Sequence, residues 1–353
     1  MTATQPPERQ SVGNGRRSVP KVKIGLIGVG PGSIAQRVHI PSLRRIPLAE
    51  IVAVTSRSGT DIGKPVKMYA DWAKMLDNEQ LDLLYVMTPT VTHSPVVVAA
   101  LERGIHVVCE KPPALTVAET QAMVDAAQAR GLNLLFCFNR RFAPTYARLK
   151  RIAETRGCHT LILEKTRGQT EAISPWMMEA ANQQWTEQVA REGGPIFEFV
   201  PHLFDLALWI NGPVSAHTFS VRRLYGSAVN LSALGYLEHE NGARSVVVYE
   251  EISGRGAERV TLYGPAITAE ATGGMFAPNQ LRVDDRGQTE VFSSPEERLE
   301  YSGFLQMSQH VVQCMAEGRA VDFDPADAIE TVRLALDFDP AQTGNAEEKD
   351  SAR

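Results

Sequence analysis

Hydrophobic positions fall into two regimes along the chain. Between residues 21 and 140, short apolar runs at 22–27, 50–55, 81–87, 105–109 and 133–138 read as strands. Helical stretches separate them, running toward Leu43 and over 95–103 and 117–130. Continuous apolar strands alternating with helices predict a parallel sheet covered on both faces. After a linking helix at 144–155 the character changes. Strand-like runs at 160–165, 215–222, 231–237, 244–251, 259–263 and 267–272 come largely in series, with turns such as Glu240-Asn241-Gly242, which predicts a mostly antiparallel open sheet. Helices over 300–317 and 325–336 close the pattern. The expected architecture is α/β: an amino-terminal doubly wound domain over 21–140 and an α+β domain over 141–338. Residues 1–20 and 339–353 lack periodicity and read as a disordered lead-in and tail.

Composition narrows the class. A chain of 353 residues with 43% hydrophobic content can bury two sizeable cores. Its formal charge of −5 offers no basic field for nucleic acid or an anionic membrane surface. No apolar run approaches the roughly 18 residues that span a bilayer. Cys109, Cys137, Cys158 and Cys314 show neither metal-like nor redox-like spacing, so no metal site is expected; the pattern suits a reducing cytoplasm. Arg16-Arg17 also admits an export-signal reading, but the apolar run that follows is the one needed as the first strand.

The first strand leads into Gly28-Val29-Gly30-Pro31-Gly32-Ser33-Ile34-Ala35 and then a helix. Glycines there let main chain approach a pyrophosphate, and the helix start supplies free N–H groups. Gly28, Gly30, Gly32, Ser33 and Ile34 are therefore candidate cofactor contacts in a Rossmann domain. The register stays open between Gly28-x-Gly30 with Ser33 and Gly30-x-Gly32 with Ala35. At the end of the second strand stands Ser56-Arg57-Ser58, where an acidic residue would favour NAD. Hydroxyls and a guanidinium suit a 2′-phosphate, so NADP is favoured over NAD; the other reading of Arg57 is a solvated loop residue.

The fourth strand-end carries Glu110-Lys111-Pro112-Pro113, where the prolines stop the ladder and leave Lys111 at a sheet's carboxyl end. On spacing alone Lys111 is either a surface ion-pair partner of Glu110 or a catalytic cation. Further on, Gly193-Gly194 precedes Glu198, His202 and Asp205; in a helix these three share a face, and Pro201 either starts or kinks it. His202 reads as a proton acceptor or as a satisfied core histidine.

Together these segments resemble the Gfo/Idh/MocA family of nicotinamide-dependent sugar and polyol oxidoreductases, from about residue 21 to 338. Against the family turn, the glycine loop is about two residues longer, and Glu198 stands where the family has aspartate. The resemblance implies hydride transfer between nicotinamide and a carbinol carbon, with Lys111 polarising the oxygen, His202 taking the proton and Glu198 orienting the imidazole. It places Thr88, Pro89, Thr90, His93, Glu110, Lys111 and Arg140 near the cofactor; His93 is otherwise a helix cap, and Arg140-Arg141 otherwise interdomain salt bridges. Lys111, Trp185, His202 and Asp205 are candidate substrate contacts. Trp176, Met177, Met178 and Trp185 form a possible sugar-facing wall or ordinary helix packing. The resemblance also implies a homodimer or homotetramer through the second sheet. The Asn139–Pro144 stretch is similar to a virulence-factor-like subgroup without a clear substrate. Rival functions within the resemblance are an NAD-dependent glycoside hydrolase and a cofactor-sensing regulator.

Overall fold

A computed structural model describes residues 20–339 apart from 57, 64, 169–174 and 275. Six strands form the first sheet: β1 (Val22–Ile27), β2 (Ala49–Thr55), β3 (Lys67–Tyr69), β4 (Leu83–Val86), β5 (His106–Cys109) and β6 (Leu134–Phe136). They run parallel in the order β3-β2-β1-β4-β5-β6. That order reverses direction between β1 and β4, and ligands of such sheets bind at this switch point. Strands β4, β5 and β6 are apolar along nearly their whole length because helices cover both faces: α1 (Ile40–Arg44), α2 (Trp72–Asn78), α3 (His93–Glu102) and α4 (Val117–Arg130). Helix α4 starts and stops where local chemistry dictates. Thr116 accepts from the Glu119 N–H at 3.1 Å and donates to its carboxylate at 2.9 Å, and Gly131 ends the helix in the left-handed region.

A short turn of 3-10 helix at Asn139–Phe142 leads into α5 (Pro144–Arg156) and the second sheet. Its strands are β7 (Thr160–Arg167), β8 (Val214–Arg222), β9 (Ser232–His239), β10 (Arg244–Glu250), β11 (Gly256–Gly264), β12 (Ile267–Gly274), β13 (Ala277–Asp285) and β14 (Gln288–Ser293). They are ordered β14-β13-β12-β11-β7-β10-β9-β8, antiparallel except for the β7–β10 pair. Strands β13 and β14 extend the sheet beyond the runs visible in the hydrophobic pattern.

Two helices, α6 (Pro175–Glu192) and α7 (Gly194–Asn211), are inserted between β7 and β8. Helix α7 begins seven residues before Pro201 and runs through it, so the proline does not start the helix. A proline there removes one main-chain hydrogen bond. The helix persists because it is apolar nearly all round and packs against β7, β10, α5 and α6. After α8 (Arg298–Tyr301), α9 (Phe304–Glu317) returns to the first sheet, where Met307, Val311, Val312 and Cys314 join its core. Finally α10 (Asp327–Phe338) packs on α7 and places Phe338 in the second core.

Candidate active site

The glycine turn follows β1 directly. Gly28 has φ +94°, and a Cβ there would lie 2.3 Å from the Met87 carbonyl oxygen, so only glycine lets β1 and β4 end this close together. At Gly30 and Gly32 a Cβ would meet nothing within 4 Å. The turn therefore presents bare main chain at the switch point, the surface a dinucleotide pyrophosphate needs, and these residues fit a nicotinamide cofactor. Ser33 accepts the Gly30 N–H at 3.3 Å and Gln36 the Gly32 N–H at 3.0 Å, which pre-shapes the turn. The Ile34 side chain packs on the first core. Ser56 is buried and its hydroxyl accepts the Thr60 N–H at 3.0 Å; Arg57 lies outside the described residues.

Three expected cofactor-wall residues are committed elsewhere. His93 is buried, with its ring nitrogens 2.8 Å from the Thr88 carbonyl and 3.0 Å from the Pro112 carbonyl. It is a strut between two strand-end loops, neither a helix cap nor a ligand-facing wall. Thr90 is also buried, donating from N–H and hydroxyl to Glu192 at 3.0 and 2.7 Å. Arg140 is 4% exposed and forks onto Glu258 of β11 at 2.7 and 2.5 Å, so it is an interdomain salt bridge. Thr88 and Pro89 stay half-buried at the end of β4.

Glu110 and Lys111 part company. The Glu110 carboxylate turns inward, 2.7 Å from His39 Nε2, and accepts the Lys111 N–H at 3.0 Å. Burial alone would raise its pKa, but the His39 hydrogen bond and the charges of His39 and Lys111 leave it below the ordinary value. His39, Glu110 and Cys137 bring one donor atom each within 4.8 Å, all buried, with the carboxylate satisfied by these hydrogen bonds. A surface pair between Glu110 and Lys111 is thus excluded. Lys111 precedes Pro112 across a cis peptide bond, and its side chain extends toward α7. There its ammonium donates to the Glu198 main-chain carbonyl at 3.0 Å and lies 5.3 Å from the Phe199 ring centre.

One turn beyond Glu198 on α7 sits His202, 4% exposed, its Nδ1 without a partner among the described residues. Burial, then the charges of Arg140, Lys111 and Lys165, holds its pKa well below the usual imidazole range. The ring is therefore neutral, with a nitrogen available to accept a proton. The Glu198 carboxylate accepts from Gln188 of α6 at 2.7 Å; no hydrogen bond joins it to the imidazole. Asp205 is fully buried in a fork from Arg141 at 2.7 to 3.1 Å, so it is a structural anion and not a substrate contact. Burial pushes its pKa up to about 6 against the pull of Arg141. Arg141 also reaches Asp327 at 2.8 Å, fastening α7 and α10 to the 3-10 turn at Asn139–Phe142.

Three participants escaped the sequence reading. Lys165 and Glu258 face each other across the β7–β11 ladder, 2.8 Å apart, and the Tyr146 hydroxyl adds a further bond to Glu258 at 2.7 Å. Burial works against the Glu258 carboxylate, but Arg140 and Lys165 overcome it and bring its pKa to about 2. Burial lowers Lys165 to about 8 in spite of Glu258. The third is Arg167, whose guanidinium lies 3.9 Å over the Phe199 ring. The available signal was alternation: Lys165 shares a strand face with Leu161 and Leu163, and Glu258 with Val260 and Leu262, so each is a charge at a core position.

Between α6, the start of α7 and the ends of β7 and β10 lies a cavity of about 310 Å³. Arg167, Gln184, Gln188, Glu192, Glu198 and Glu251 line it. The side chains of Trp176, Met177, Met178 and Trp185 lie outside the described residues.

Comparison with known proteins matches residues 22–137 to a family model described as an oxidoreductase family with an NAD-binding Rossmann fold. Residues 166–270 match the carboxyl-terminal domain model of the same family. An uncharacterised oxidoreductase, YrbE of Bacillus subtilis, is 26% identical over 239 residues, covering 64% of this chain and 66% of that one. The match thus spans just under two-thirds of that relative. A D-apiose dehydrogenase of Paraburkholderia graminis is 24% identical over 339 residues, covering 90% of this chain and 86% of that one. Among solved structures, an oxidoreductase domain protein from Kribbella flavida superposes with a TM-score of 0.77 at 21% identity, covering 92% of this chain and 98% of that one. Glycine turn, strand-end lysine, buried helix histidine and both matched segments agree: the chain belongs to the Gfo/Idh/MocA oxidoreductase family.

Proposed function

We propose that the protein is an NAD(P)-dependent oxidoreductase acting on a secondary hydroxyl, or the corresponding ketone, of a sugar, sugar derivative or cyclic polyol. The carrying observation is the convergence of Lys111, from the end of β5, and His202, from α7, on one locus. Lys111 reaches the carbonyl one turn before His202, whose imidazole pKa is lowered chiefly by burial and then by the charges of Arg140 and Lys111. Gly28, Gly30 and Gly32 would hold the cofactor, which supplies or accepts the hydride.

The protein's own groups manage the oxygen and its proton. When a carbinol loses hydride, its O–H proton must leave or the oxygen becomes a cationic carbonyl. Neutral His202 takes that proton at a ring nitrogen. Among the described residues Lys111 has no carboxylate within salt-bridge distance, so its charge remains available to stabilise the alkoxide-like oxygen. Glu258 keeps Arg140 and Lys165 compensated behind the histidine. In the reducing direction, His202 returns the proton.

We favour NADP over NAD on the Ser56-Arg57-Ser58 sequence after β2. We also propose a cytoplasmic homo-oligomer assembled through the open face of the second sheet, where Leu234, Tyr236, Tyr263 and Val291 stand exposed. Among the described residues no helix is long and apolar enough to cross a membrane.

The test is a fluorescence titration with NADPH and NADH, with denaturation to release carried-over cofactor, followed by a sugar and polyol screen. Lys111→Ala is expected to lower turnover by about 10² or more while cofactor affinity stays within a few-fold. Unchanged turnover would refute the assignment of Lys111, and failure to bind either cofactor would refute the function.

A further inference from the structure

The cavity lined by Glu198, one helical turn before His202, has a charge pattern that selects among substrates. Among the described residues, four carboxylates, of Glu187, Glu192, Glu198 and Glu251, line it against two guanidiniums, of Arg167 and Arg191. Arg167 is already committed, lying face-on to Phe199 at 3.9 Å and 3.7 Å from Glu251. A ligand carboxylate or phosphate would have to compete for it with Glu251. Arg191 stands exposed at the solvent rim, and Lys111, outside the lining, belongs to the reacting oxygen.

Resting on the oxidoreductase reading above, we infer that the substrate is a single uncharged polyhydroxylated ring, and that sugar acids, sugar phosphates and nucleotide sugars are excluded. Carboxylates are acceptor-only groups with several lone-pair sites each, and sugar hydroxyls are donors, so a neutral polyol matches this wall without importing charge. Glu192 and Glu198 each use one recorded oxygen, toward Thr90 and Gln188, which leaves acceptor capacity facing the cavity. Size agrees: about 310 Å³ is at the small end of ligand sites and accommodates one ring. An added anion would sit within a few ångströms of several carboxylates at partial burial, a penalty of order 10²-fold or more in binding.

The experiment uses the cofactor-loaded full chain and matched probes: glucose and myo-inositol against glucuronate, glucose 6-phosphate and UDP-glucose. Initial rates of NAD(P)⁺ reduction and calorimetric binding are read for each. The expected result is at least a hundredfold preference in kcat/KM, or in affinity, for neutral members. Preference for an anionic member overturns the inference. So does binding of no member while NAD(P)H still binds, because the cavity is then no sugar site; loss of NAD(P)H binding would instead strike the underlying function. A charge-reversal variant at the exposed rim, Glu187→Arg, should narrow the neutral-to-acid ratio at least several-fold, with far-UV circular dichroism unchanged. An unmoved ratio in a folded variant also overturns it.

Discussion

Glu258→Gln removes one charge and almost no volume from the most highly connected side chain near the site. In the native protein its carboxylate takes two bonds from Arg140, one from Lys165 and one from Tyr146, with no exposed surface. The amide retains one acceptor oxygen but leaves two cations buried together with no counter-charge. Removing one partner of a buried pair costs about 3–5 kcal/mol. The cost depends on pH in a way that identifies its cause. The Lys165 pKa, already depressed to about 8 by burial, falls further once the carboxylate that raises it is gone. A lysine depressed in the folded state contributes stability above its unfolded pKa and loses it as pH falls through the folded pKa. In the variant Lys165 discharges at a pH below 8, so by pH 9 only Arg140 is left uncompensated. Urea denaturation at pH 6.5 and pH 9, extrapolated linearly to water, should therefore show the full loss at the lower pH and roughly half at the higher. A loss below about 1 kcal/mol, or one equal at both values, would refute the view that Glu258 acts as counter-ion to both groups.

Three further outcomes follow from the same geometry. Gly30→Ala should leave the urea midpoint unchanged, since its Cβ meets nothing within 4 Å, yet weaken NAD(P)H binding about tenfold or more in a fluorescence titration; unaltered affinity would place the pyrophosphate elsewhere. His202→Asn should lower turnover by about 10²–10⁴ with cofactor affinity within a few-fold. The His202 C–H resonance of the native enzyme should report a neutral ring from pH 6.5 to 8, and an imidazolium at pH 7 would contradict the structure. Asp205, raised to about 6 from 3.8, binds a proton in the folded state that the unfolded chain has released. Its contribution is full below pH 3.8 and lost as pH rises through 6, so Asp205→Asn should make the stability–pH slope between pH 4 and 6 more positive, by up to about 1.4 kcal/mol per pH unit. An unchanged slope would mean that Arg141 keeps Asp205 ionised throughout.

Local signals made much of the fold legible. Thr116, Glu119 and Gly131 bracket α4 at Val117–Arg130, the same bounds the pattern gives. Strand β14 was not legible because it is the sheet's edge, with nearly every side chain facing water, and β13, one place in, buries only Ala277, Pro278 and Leu281 among polar neighbours, too few for an apolar alternation. The three-residue β3 escaped for a similar reason. At the site, Lys111 and His202 could be named because each stands in a distinctive local context. Their partners could not. Arg140 finds Glu258 118 residues away, and Lys165 finds it 93 away, a pairing set by strand register. His93 and Asp205 misled because chain position says nothing about which way a side chain turns.

The hydrogen bond from Lys111 to α7 ends on a peptide oxygen, which makes it blind to the side chain at position 198. Glutamate, aspartate or alanine there would offer the lysine the same anchor. Position 198 can therefore drift in length, as its departure from the family's aspartate illustrates, without unfastening the ammonium from the helix. What such drift changes is the wall toward Gln188, so this helical turn separates two heritable properties: the chemistry rests on its main chain, and the choice of substrate on its side chain.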